Sequence, residues 1–158
     1  MDAAILYENI LLDMYGPHVP SLIPGETVID IGAHIGVPGI HLATLFPGIR
    51  MYSFEPHPET FLLLLRNISR NHLEHTIKPL QYAVASDTSN RYLHVDTTNT
   101  GGHHMAATWQ SKTGGLAMKT ISLRDILTRE KISSCALMTM DCEGAEFEII
   151  MSAPTATL

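Results

Sequence analysis

Hydrophobic and polar positions along this chain follow two rhythms in turn, one helical and one short and continuous. Residues 2–15 (DAAILYENILLDMY) put Ile5, Leu6, Ile10, Leu11, Leu12 and Met14 near helical spacing. Gly16-Pro17, Pro20 and Pro24 stop that helix. Thr27 to Ile31 is a short apolar run of the buried-strand kind. Gly32 to Gly36 turns the chain, and Pro38 suits the first turn of a helix running to Phe46, which Pro47-Gly48 ends. Arg50 to Phe54 reads as the second strand. Glu55-Pro56-His57-Pro58 breaks it, and a long helix follows to Asn71 with Phe61, Leu64, Leu65 and Ile68 on one face. The stretch Phe61 to Leu65 is expected in the core. Residues 77–85 (IKPLQYAVA) read as a third strand, with Pro79 near an edge or start. Arg91 to Val95 reads as a short strand, 97–115 as a Thr- and Gly-rich loop, and Ser122 to Arg129 as a helix. Cys135 to Met140 is the fourth strand, and Gly144 to Met151 a helix ended by Ala153-Pro154.

Strands alternating with helices predict an α/β fold, a mostly parallel sheet with helices on both faces. Residues 1–25 form an N-terminal helix and lead-in, and 26–158 one domain. Ligands of such folds bind beyond the carboxyl ends of the strands. Three segments fall there: Asp30 to Gly36, Glu55-Pro56, and Asp141-Cys142-Glu143-Gly144.

Composition narrows the partners. The chain has 158 residues, 45% hydrophobic and 16% charged, with a net charge of −6. That suits a single folded domain and argues against disorder. The acidic balance argues against nucleic acid as partner. No Lys or Arg precedes Arg50, so the cationic start of a signal or transit peptide is missing. No apolar run is long enough to span a bilayer. Cys135 and Cys142, on one strand and its exit, lie too far apart to bridge. Both are expected as reduced thiols in a cytoplasmic protein.

The turn Asp30 to Gly36 has glycines that permit positive φ and close approach, and a helix whose free N–H groups follow it. Its spacing, Gly32, Gly36, Gly39, is not the dinucleotide G-x-G-x-x-G. Glu55, at the end of the second strand, can accept hydrogen bonds from both hydroxyls of a ribose. Together they indicate an adenosine-containing cofactor and leave NAD and S-adenosylmethionine open.

Four segments in order, VIDIGAHIG (28–36), SFEPHPETFLLLLRN (53–67), TISLRDIL (120–127) and MDCEGAEFEI (140–149), resemble the FkbM-type methyltransferases, a Rossmann-like branch of class I S-adenosylmethionine-dependent enzymes. The match covers residues 26–152. The resemblance implies S-adenosylmethionine as cofactor and a small-molecule acceptor. It implies that Asp30, Gly32, Ala33, His34 and Gly36 line the methionine end and ribose, that Glu55 with Pro56 holds the ribose diol, and that Ala83 flanks the adenine. It puts Asp141 and Glu143 where methyl group and acceptor meet. His34 stands where Asn is usual, Thr139 where Lys is usual, and Cys142 where Val or Ile is usual. Complete folds of this class carry further strands after the fourth, so the chain is expected to be C-terminally incomplete, with an open sheet edge that favours self-association.

An oxygen acceptor must lose its proton at or before attack. Asp141 and Glu143 are candidates for that base, and His104, beside His103 in the Gly-rich loop, is another. Trp109 reads equally as a cap on the acceptor pocket or an anchor of the loop. Asp141, Glu143, Glu146 and Glu148 cluster without a cation, and their repulsion is expected to raise a carboxyl pKa. Glu146 and Glu148 read as a solvated helix face. His72 and His75 read as a surface helix end and not as metal ligands; no metal site is expected. The reading is an O-methyltransferase of a small-molecule or sugar hydroxyl. Its alternatives are a nicotinamide-dependent oxidoreductase and a non-catalytic adenosyl-cofactor binder.

Overall fold

A computed structural model describes residues 21–94, 104–106, 115–142 and 144–153. The helix expected at 2–15, Glu143, His103 and Trp109 lie outside the described residues, as does the side chain of His104.

Four strands form an all-parallel sheet in the order β3-β2-β1-β8. They are β1 (Thr27–Ile31), β2 (Arg50–Phe54), β3 (Ile77–Leu80) and β8 (Leu137–Met140). Every residue of β1 is buried, as a strand covered on both faces requires. The period of two divides its side chains: Val28 packs with Met51 and Ile77 on one face, Ile29 and Ile31 with Phe54 on the other. Helices α1 (Val37–Leu45) and α2 (Pro58–Arg70) cover the first face through Leu42, Ala43, Leu64 and Ile68. Helices α3 (Leu123–Arg129) and α4 (Glu146–Ser152) cover the second through Leu123, Ile126 and Ile149. The expected parallel sheet with helices on both faces is the one observed.

A second sheet, not foreseen, has the order β4-β7-β5-β6. It joins β4 (Ala83–Ala85), β5 (Asn90–His94), β6 (His104–Ala106) and β7 (Gly115–Ser122). The run 77–85 is therefore two strands. β2 ends at Phe54, so beyond Leu80 the chain loses its partner, folds back through a Tyr82 N–H bond to the Leu80 carbonyl, and pairs with β7 instead. Pro79 does lie on an edge strand. The segment 97–115 is not all loop, since β6 pairs antiparallel with β5 inside it. α3 starts on a reciprocal cap: Ser122 Oγ accepts from the Asp125 N–H (3.1 Å) and donates to the Asp125 carboxylate (2.8 Å).

The run Phe61 to Leu65 is core only in part. Leu64 is buried, but Leu62 is 62% exposed, and Leu63 and Leu65 are also exposed. One helix face turns toward the sheet, and a run of four leucines must wrap past it.

Candidate active site

Parallel pairing in register brings three strand ends side by side, because Ile31 is level with Phe54 on one flank and with Met140 on the other. The glycine turn, Glu55 and Asp141 therefore meet at one edge of the sheet. The N–H groups of Gly32 and Ala33 both donate to the Phe54 carbonyl (3.0 and 2.9 Å), and the Asp141 N–H donates to the Ile31 carbonyl (2.9 Å).

The turn is left-handed at three points: Gly32 at φ +84°, His34 at +50° and Gly36 at +90°. His, Asn and Asp tolerate that region better than other side chains, which accounts for His34 where the resemblance expects Asn. The missing side chains of the glycines face protein. A Cβ on Gly32 would lie 2.0 Å from the Asp141 carbonyl oxygen, and one on Gly36 2.6 Å from Leu64.

Glu55 is 6% exposed and clamps two turns together. Its Oε2 accepts the His34 N–H (2.9 Å) and its Oε1 accepts the His57 N–H (2.8 Å). A carboxylate has roughly four acceptor positions, so each oxygen keeps a further one beyond these bonds. Burial pushes the Glu55 carboxyl up to about 7, against the lowering effect of the two N–H bonds, and the charge of Asp30 adds to the rise. Folding therefore favours the protonated form. The contribution is present below pH 4.5 and is lost as pH rises through about 7, on the order of 3 kcal/mol in all. Thermal melts of the unliganded protein between pH 5 and 8 should show a falling Tm, with a shallower slope in Glu55→Gln. Equal slopes would remove Glu55 as the titrating group.

Asp30 is also buried, behind the turn. On one face of three neighbouring strands, Ser53 Oγ donates to its Oδ2 (3.2 Å) and Thr139 Oγ1 to its Oδ1 (2.9 Å). Burial raises its pKa, the two hydroxyls lower it, and the charge of Asp141 raises it further. Thr139 thus supplies a neutral donor where the resemblance expects a cation. Gly39 of α1 is small because a Cβ there would come within 3.0 Å of the Asp30 carboxylate.

Asp141 is exposed at the exit of β8. Glu146 and Glu148 are not a solvated face. Glu146 spans the following turn, accepting the Cys142 N–H (2.8 Å) and the Gly144 N–H (2.9 Å). Burial works to raise its pKa, but these bonds and its own N–H outweigh burial and hold it below the glutamate range, so repulsion does not raise it. Glu148 pairs with Arg91 Nη1 (2.7 Å) and ties α4 to β5. Burial pushes the Cys142 thiol up to about 12, with Glu146 beside it adding to the rise. Both cysteines are free thiols.

Pro56 is half-buried beside Glu55, and Ala33 is buried within the turn. Ala83 is buried at the start of β4, level with Thr120. His104 lies on β6, at the far edge of the second sheet, where it pairs with His94. Among the described residues no group of three or more His, Cys, Asp or Glu could hold a metal ion. No helix among them is long and apolar enough to cross a membrane.

One residue of the site, Asn67, is not singled out by the sequence, and a second, Glu146, is read there only as part of an acidic cluster and a solvated helix face. Asn67 of α2 donates to the Ile35 carbonyl (2.9 Å), and Glu146 closes the turn after β8. Asn67 ends the motif segment 53–67 and Glu146 lies within 140–149.

A parallel sheet with helices on both faces, whose first strand runs into a left-handed glycine turn and whose second ends on a buried acid, defines a Rossmann-like α/β protein. The chain belongs to the FkbM methyltransferase domain family, which matches residues 30–157. It is 29% identical over 150 residues to the 31-O-demethyl-FK506 methyltransferase FkbM of Streptomyces tacrolimicus, covering 93% of this chain and 55% of that one. It is 26% identical over 125 residues to the hexuronic acid methyltransferase AglP of Haloferax volcanii, covering 79% of this chain and 48% of that one. The chain spans about half the length of these relatives. Among solved structures, a precorrin-6y C5,15-methyltransferase from Geobacter metallireducens overlaps 38% of this chain and 31% of its own at a TM-score of 0.36 and 20% identity, too partial to bear on function.

Proposed function

We propose that residues 26–158 form the cofactor-binding domain of an S-adenosylmethionine-dependent O-methyltransferase, with residues 1–25 as its lead-in, acting on a hydroxyl of a small molecule or sugar. The observation that carries this is Glu55, a buried carboxylate with a spare acceptor position on each oxygen, set between the glycine turn and the β3 exit in a member of this family. The two relatives methylate, by their names, 31-O-demethyl-FK506 and hexuronic acid, which supports a hydroxyl-bearing acceptor.

When bound, S-adenosylmethionine would supply a methyl group activated by its sulfonium charge, with the neutral thioether as the leaving group and the acceptor oxygen as the receiving atom. The protein's part is positioning and proton removal. Glu55 takes the ribose diol. The segment Gly32, Ala33, His34 and Gly36 takes the methionine end, with Asp30 behind it, Pro56 stays with Glu55 at the ribose, and Ala83 is the residue assigned to the adenine. Asp141, exposed at the exit of β8, accepts the acceptor's proton, with Glu143 and His104 the other groups assigned to the acceptor side. The reading sets the protein in the cytoplasm, where Cys135 and Cys142 stay reduced. It makes the outer edge of β8, unpaired among the described residues, the side for self-association.

Transfer of radiolabelled methyl to a panel of hydroxyl acceptors, uronic sugars included, tests the reaction. Asp141→Asn should leave cofactor affinity within about twofold and reduce turnover by 10²–10⁴-fold, roughly the size of general-base catalysis. A variant with full turnover removes Asp141 from the chemistry.

A further inference from the structure

The glycine turn is held from two sides, and α2 is the side that the motif assignments leave unexplained. Leu64 and Asn67 lie three residues apart and so share a helix face. Leu64 fills the space that a side chain on Gly36 would need. Asn67 Nδ2 donates to the Ile35 carbonyl at 2.9 Å. Asn67 is itself fixed within its helix, since its carbonyl accepts from Asn71 Nδ2 (2.8 Å) and from the Asn71 N–H (3.2 Å).

This bond matters because of where it falls. The peptide between Ile35 and Gly36 precedes a residue at φ +90°, and a glycine leaves such a peptide free to turn over at small cost. With the Ile35 carbonyl held toward α2, the Gly36 N–H points away from it and donates to the Ala33 carbonyl at 2.8 Å. That closes the turn around His34, whose own N–H is held by Glu55. One side-chain amide thus selects one of two orientations for the peptide at the mouth of α1.

We infer that Asn67 is a positioning residue for the amino-acid end of the cofactor, acting through the Ile35 carbonyl without touching the ligand. The inference rests on the proposed cofactor and names which part of it this side chain serves. The ribose end, held by Glu55, does not depend on the bond.

The test is calorimetric titration of the wild-type chain, Asn67→Asp and Asn67→Leu with two probes. S-adenosylhomocysteine carries the amino-acid end, and 5′-methylthioadenosine lacks it. Both variants should bind S-adenosylhomocysteine about 10-fold more weakly, the size of one lost hydrogen bond, and bind 5′-methylthioadenosine within about twofold of wild type. Equal weakening toward both probes, or no weakening, would overturn the inference while leaving the cofactor assignment standing. Loss of a cooperative melt in both variants would overturn it too, making Asn67 a residue of the fold. A wild-type chain that binds neither probe would overturn the cofactor assignment, and the inference with it.

Discussion

Gly32→Ala should be among the most damaging single-methyl substitutions in this chain, lowering stability by about 2–5 kcal/mol and Tm by roughly 5–20 °C. Two costs add. The backbone is at φ +84°, where an L side chain is strained. The new methyl would lie 2.0 Å from the carbonyl oxygen of Asp141 and 2.7 Å from its carbonyl carbon. Those are backbone atoms at the end of a strand whose register with β1 runs from Val28 to Ile31, so no side chain can swing aside. Relief would require β8 to part from β1 at the site itself. Gly25→Ala separates the two costs, because Gly25 has φ +90° and nothing within 4 Å of an added Cβ. It should lose about 1–2 kcal/mol from conformation alone. Thermal denaturation followed by circular dichroism compares them. A Gly32→Ala protein no less stable than Gly25→Ala would mean that the ends of β1 and β8 are not pressed together.

Glu55→Ala should weaken S-adenosylhomocysteine binding by roughly 10–100-fold, since charge-assisted hydrogen bonds are worth about 1.5–3 kcal/mol. The loss has two sources. Under the proposed assignment the ribose diol loses its acceptor, and the N–H groups of His34 and His57 lose theirs, so this carboxylate no longer links the glycine turn to the start of α2. Glu59→Ala, at an exposed position in the first turn of α2, should change nothing. Because ribose hydroxyls donate to the ionised carboxylate, wild-type affinity should also rise as pH passes upward through about 7. An unchanged affinity in Glu55→Ala would remove the ribose assignment.

What could be read from sequence depended on how local its cause was. β1, α1, β2 and α2 are written in contiguous signals: an apolar run, a proline in the first helical turn, a strand broken by Glu55-Pro56. The second sheet is not local. β7 buries Met118 and Thr120 on one side, and the inward Thr120 reads as polar until its bonds to Ser89 and Asp87 are seen. The division of 77–85 depends on where β2 stops, more than twenty residues earlier. At the site, Gly32, His34 and Glu55 were legible because left-handed turns and acidic strand ends restrict residue type. Asn67, Glu146 and Thr139 were not, because an amide, a carboxylate and a hydroxyl declare their role only through the carbonyl, N–H or acid that the fold brings to them.

Calorimetric titration of the purified chain with S-adenosylmethionine, S-adenosylhomocysteine and NAD tests the central claim most directly. The account predicts saturable binding of both adenosyl-sulfur ligands, none of NAD, and binding weakened by roughly 10–100-fold in Glu55→Ala. Binding of NAD in preference, or adenosyl binding that survives Glu55→Ala intact, would contradict it.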